Sequence, residues 1–146
     1  MTDLQKLGRL SPLEFFLLVV SALALPVVAM LLKYRGFRRT EQLFSRFSRK
    51  PVTADATDRV HSTARMVSIA AHKGPFNAQC LEQAITLWWM LGLMGIESTI
   101  RMGIYKNGDA VEAHAWVLYQ EEIVLGELER LSNYTPLLDV NIERPK

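Results

Sequence analysis

The sequence predicts an α+β domain in which a run of helices precedes a short antiparallel sheet. Three observations carry this reading. Apolar residues recur at helical spacing as far as Met94. The period then falls to two from Ile100 onward, and Lys106-Asn107-Gly108-Asp109 places a hairpin signal between two alternating segments.

Composition sets the frame for these elements. At 146 residues, 49% hydrophobic and 22% charged, the chain has the size of one domain. A chain this long buries roughly 70% of its unfolded surface on folding. The same numbers exclude a disordered tail, a collagen-like repeat and a disulfide scaffold. One cysteine cannot form an internal bridge, which fits a reducing, cytoplasmic compartment. One cysteine and three histidines also leave little for a metal site, and no glycine-rich phosphate loop occurs. We therefore expect no metal, no cofactor and no nucleotide.

The net charge of +2 conceals an asymmetry. Residues 1–50 hold nine Lys/Arg against three Asp/Glu, and residues 51–146 hold eight against twelve. We read 1–50 as an apolar and basic N-terminal helical segment and 51–146 as the core, within one structural domain. The basic excess runs from Lys33 to Lys50 and suits an acidic peptide, a partner protein or a membrane surface; it equally suits a solvated helix face. No nucleic-acid partner is expected.

Ser11-Pro12 opens the first helix, with serine as cap and proline in the first turn. Phe15 to Leu32 is eighteen residues without a charge, at the threshold for a membrane span, and Pro26 would kink it. It can span a bilayer, lie on one or pack inside the domain. Ala22-Leu23-Ala24 mimics a signal cleavage site, but the apolar run continues well beyond it. Gly36 separates this helix from a short basic one over Phe37–Phe47. A third helix runs from Thr57 to His72, with Val60, Ala64, Val67 and Ala71 toward the core. A fourth is expected over Asn77–Met94, capped by Asn77, stopped by Gly95, and buried along Leu81, Ile85, Trp88, Trp89 and Leu93. Strands follow near Ile100–Ile104, Glu112–Tyr119 and Ile123–Leu125, forming a three-stranded meander on which the fourth helix packs.

Chemistry enters with Cys80, in the first turn of the fourth helix. Free backbone N–H groups and the helix dipole there stabilise a thiolate and can hold an oxyanion. The plain alternative is an inert buried thiol. His114 lies on the second strand with Trp116 and Leu118, opposite Ala115, Val117 and Tyr119, and is expected to point inward across the helix–sheet interface. A histidine so placed can take the thiol proton and later protonate a leaving amine; alone, it reads equally as a hydrogen-bonded core residue. Gln79 is a candidate oxyanion donor or a solvated side chain. His61 and His72, eleven residues apart on one helix, read as polar-face residues.

These residues carry a resemblance. Cys80-Leu81-Glu82-Gln83-Ala84, Trp88-Trp89, Leu93-Met94-Gly95-Ile96 and Ile100-Arg101-Met102-Gly103-Ile104, with Glu112-Ala113-His114-Ala115-Trp116-Val117, resemble the transglutaminase-like leader peptidase of lasso-peptide biosynthesis. The similarity is to the stand-alone peptidase form and covers about residues 30 to 127. It implies a papain-like or transglutaminase-like core, with Cys80 as nucleophile and His114 as general base and acid. It also implies three partners: a precursor peptide, a separate leader-recognition protein and an ATP-dependent lasso cyclase. The activity implied is removal of the leader from a ribosomally made precursor. The family's usual aspartate falls about twelve residues after the histidine, where this chain has Gly126 and then Glu127. Glu127 is the expected orienting acid. Glu112 is its competitor, and a backbone carbonyl or amide is the third option. Two further readings stay open: a membrane-associated binding module with an inert Cys80, and a transglutaminase-like acyl transferase.

Overall fold

A computed structural model of the chain describes residues 10–47, 55–73, 78–126 and 134–141. Among the described residues four helices come first: α1 (Pro12–Arg35), α2 (Phe37–Ser45), α3 (Thr57–Lys73) and α4 (Cys80–Leu93). Four strands follow: β1 (Thr99–Asn107), β2 (Ala110–Tyr119), β3 (Glu122–Leu125) and β4 (Thr135–Asn141). The sheet has the order β3-β2-β1-β4, and every pairing is antiparallel. The α+β class expected from the sequence is the one observed.

Local chemistry explains the boundaries. Ser11 caps α1 in a reciprocal box: Glu14 N–H donates to Ser11 Oγ at 3.2 Å, and Ser11 N–H donates to the Glu14 carboxylate at 3.3 Å. Pro12 occupies the first turn, where its missing N–H costs nothing. Gly36, at φ +80°, ends this helix by donating its N–H to Leu32 O. The helix runs continuously through Pro26.

The hairpin signal also behaves as expected. Asn107 pairs with Ala110, so β1 and β2 are joined through Gly108 and Asp109, with Gly108 at φ +62°. Gln120 and Glu121, both at positive φ, turn β2 into β3.

The core lies between the sheet and the helices. Val60, Ala64, Val67 and Ala71 are all buried, as their spacing predicts. Departures from the sequence reading are informative. The fourth helix starts at Cys80 with Gln79 as its cap, three residues after the expected start, and Asn77 lies outside the described residues. Its burial is not a stripe: Ala84 to Trp88 and Met90 to Gly92 are all buried, while Leu81, Trp89 and Leu93 are half-covered. This helix is surrounded by α1, α3 and the sheet, and Trp89 leans on Phe44 of α2 with ring centroids 5.4 Å apart.

The sheet gains a strand the sequence did not announce. β4 pairs along the free edge of β1, with a register shift between Met102 and Gly103. Arg101 holds it there through a two-pronged bond to Asp139, at 2.8 and 3.0 Å. Hydrogen bonding and charge raise the Arg101 pKa and depress that of Asp139.

The core-facing side of β2 is the set Ala115, Val117 and Tyr119. His114 and Trp116 alternate with this set along the strand, so His114 borders the cleft that it shares with Cys80 instead of joining the core row.

Candidate active site

The site assembles where β3 stops. β3 pairs only with Val117, Leu118 and Tyr119. Beyond that point the edge of β2 toward His114 has no strand beside it among the described residues. The chain leaves β3 at Gly126, whose φ of +88° lies in the left-handed region. A Cβ at this position would meet Ala115 O and Trp116 Cβ, each at 2.9 Å. Only glycine fits there without displacement. That close passage sets the Gly126 carbonyl 2.7 Å from His114 Nε2.

This contact fixes the tautomer. A carbonyl can only accept, so Nε2 carries the proton and donates it. In the neutral ring Nδ1 then holds the lone pair. The position at which the resemblance leads one to expect an aspartate side chain thus supplies a main-chain oxygen instead. Glu127 lies outside the described residues.

Glu112, the competing acid, is exposed and engages a different group: Tyr134 Oη donates to its carboxylate at 3.3 Å. Tyr134 was not foreseen from the sequence. Its ring packs 5.9 Å from the His114 ring and 5.6 Å from Tyr105, and its edge meets Trp116 at 6.3 Å. Trp116 itself stacks on His114 at 6.0 Å. The imidazole is therefore held between two aromatic rings and a carbonyl. Gly103, paired with His114 across the strands, allows this packing: a Cβ there would meet Thr135 O at 2.8 Å and the Trp116 ring at 2.9 Å. Partial desolvation, then the hydrogen bond to Glu112 and the charge of that carboxylate, push the Tyr134 phenol above its usual pKa. The hydroxyl stays a donor through the neutral range.

Cys80 is half-buried and stands as the first residue of α4. Glu82 fastens this helix start by accepting the Gln79 N–H at 2.7 Å, and Gln83 N–H makes the first intrahelical bond to Gln79 O. The exposed Gln79 is a cap residue rather than part of the cleft wall. Cys80 and His114 share one cleft of about 500 Å³. Its opposite wall is the α3 face bearing His61, Arg65, Ser68 and His72, and its floor is Ile123 to Gly126.

All three histidines and the sole cysteine thus border the same space. His61 and His72 were expected on a plain polar face. Their spacing from Arg65 and Ser68, one helical stripe, is the signal that could have placed them together. No aspartate or glutamate among the described residues lines this cleft. Arg65 is drawn partly aside by Glu14 at 2.8 Å. Nor, among the described residues, is any group of three His, Cys, Asp or Glu placed to hold a metal ion.

A thiol at a helix start, a histidine of fixed tautomer and an open cleft between them can perform nucleophilic acyl chemistry without a cofactor. Comparison with known proteins agrees at the level of family. No curated protein and no solved structure matches the chain. The family pattern described as the Transglutaminase-like superfamily matches residues 22–139, most of the chain and the whole of this site. That superfamily includes cysteine peptidases and acyltransferases. The protein belongs to the transglutaminase-like superfamily.

Proposed function

We propose that this protein is a cysteine peptidase that removes the leader from a ribosomally synthesised lasso precursor peptide. The observation that carries the reading is the shared cleft. The only cysteine opens a helix on one side of it, and a histidine locked in the Nε2–H tautomer by the Gly126 carbonyl borders it too. The lasso substrate rests on the resemblance of the Cys80 and His114 blocks.

In this mechanism His114 Nδ1 takes the Cys80 thiol proton, and the sulfur attacks the carbonyl carbon at the leader–core junction. The free backbone N–H groups at the start of α4 lie beside the developing oxyanion. Collapse breaks the C–N bond, and His114 returns its proton to the departing amine, which becomes the N-terminus of the core peptide. A water then gives its proton to His114 and attacks the thioester. The leader leaves with a new carboxylate, and Cys80 regains its proton.

The third member of the machinery is the Gly126 carbonyl in this reading. It orients the ring but, being neutral, supports the imidazolium less than a carboxylate does. Glu127 follows it directly in the chain and remains a candidate for added charge. Leader capture belongs to a separate recognition protein, and ring closure to an ATP-dependent cyclase. Both are proposals from the same resemblance.

The test is incubation of a lasso precursor with this protein and its leader-recognition partner, followed by product mass. Hydrolysis yields two fragments whose summed mass exceeds the precursor by one water. Transfer of the leader to an amine would give a conjugate instead and would move the reading to acyl transfer.

A further inference from the structure

The outer face of α1 exposes a run of apolar side chains. The helix is long and apolar enough to cross a membrane, yet only 28% of its apolar window is buried. Its covered side is committed to the domain. Leu17, Leu25 and Val28 are buried, and Ser21 is fully buried, donating to Leu17 O at 2.7 Å and touching Met90 Sδ of α4 at 3.5 Å.

Among the described residues the opposite side is unpartnered. Phe16, Val19, Leu23, Val27, Met30 and Tyr34 fall at helical intervals along one face and are each 41% to 75% exposed. At 1.5 Å per residue they form a strip about 27 Å long. Between Glu14 and Lys33 the helix carries no ionisable side chain. At its C-terminal end the strip meets Tyr34, flanked by exposed Lys33 and Arg35, and α2 adds exposed Arg38 and Arg39, with Arg46 as its C-cap, against the single acid Glu41.

We propose that this face docks on an anionic bilayer, with α1 lying in the membrane plane and the domain seated above it. Charge selects the occupant: a straight apolar strip ending in an aromatic residue and a basic cluster matches the boundary between acyl chains and acidic headgroups. Packing selects the orientation. A spanning helix would have to strip Leu17, Ser21 and Val28 from α3 and α4, whereas an in-plane helix keeps them buried. The inference stands independently of the peptidase reading.

Vesicle flotation of the full chain tests it, using phosphatidylcholine alone beside phosphatidylcholine with about one third phosphatidylglycerol. The expected result is roughly tenfold more protein floating with the anionic vesicles, falling as salt is raised. Leu23→Glu with Met30→Glu should abolish flotation, since both sites are exposed and the core is untouched. Lys33→Gln with Arg35→Gln, Arg38→Gln and Arg39→Gln should remove the lipid selectivity, giving a second readout that leaves the apolar strip intact. A Val27→Trp probe should be quenched by lipids brominated near the headgroup more than by those brominated at the chain end. Flotation with neither vesicle, or unchanged flotation of the double glutamate variant, overturns the proposal. Preferential deep quenching replaces the in-plane helix with a spanning one. Dimerisation through this face without vesicle binding makes a second copy the occupant.

Discussion

Two helices of this molecule, α1 and α4, are both apolar through most of their length, yet one is enclosed and the other lies open along a whole side. α4 is enclosed by α1, α3 and the sheet, and every residue from Ala84 to Trp88 is buried. What it leaves accessible is its N-terminal end, where Cys80 borders the cleft. α1 leaves accessible a continuous side. Composition cannot separate the two, because the hydrophobic effect rewards burial wherever neighbours exist and does not say where they are. The difference is where each helix stays accessible: at its tip for α4, where Cys80 borders the cleft, and along one side for α1.

The largest effect is expected at the tip of α4. His114→Gln should lower turnover by about three orders of magnitude or more while leaving thermal stability close to wild type, since the ring is only half-buried. Steady-state cleavage beside a melting curve checks both parts. A large loss of stability would instead make His114 a packing residue.

The enclosed and open helices should then answer substitution differently. Trp88→Ala empties a site that is 1% exposed and should cost about 3–5 kcal/mol. Leu23→Ala, at a site 67% exposed, should stay within about 0.5 kcal/mol. Urea titration of both variants decides. Equal costs would mean that the outer side of α1 is covered in solution.

A smaller effect is expected where the cleft floor meets β2. Gly126→Ala places a Cβ 2.9 Å from Ala115 O at a left-handed φ, which should cost about 1–3 kcal/mol. Because that strain displaces the carbonyl from His114, activity should fall further than stability implies. The pH–rate profile of the variant is the discriminating readout, since a purely structural role would leave its shape unchanged.

The smallest effect lies at the far edge of the sheet. Arg101 depresses the Asp139 pKa, chiefly by hydrogen bonding, so the pair contributes stability above the unfolded value of 3.8. That contribution is lost as pH falls through the lower folded value. Asp139→Asn should cost about 0.5 kcal/mol at neutral pH and nothing once the carboxyl is protonated. Denaturation at pH 7 and in strong acid compares the two.

The legible parts of this molecule were those written in local chemistry. Ser11-Pro12, Gly36, the Val60 to Ala71 stripe, the Gly108 hairpin and the alternation of β2 each need only a few adjacent residues. Cys80 and His114 were legible as candidates for the same reason. Three features were not. β4 carries Pro136 and pairs at a sheet edge, so its pattern is weak and its partner distant. The face that β2 turns to the core depends on which side the helices cover, and alternation is symmetric in that respect. The Gly126 carbonyl leaves no side-chain signal, because the group that meets His114 belongs to the backbone; glycine at the expected aspartate position was its only trace.

The proposed peptidase activity depends on Cys80 as its nucleophile. Mass spectrometry of a lasso precursor incubated with the leader-recognition partner and either wild type or Cys80→Ala tests it most directly. A nucleophilic Cys80 gives separate leader and core fragments with wild type and intact precursor with the variant. Equal cleavage by both would contradict it and take Cys80 out of the chemistry.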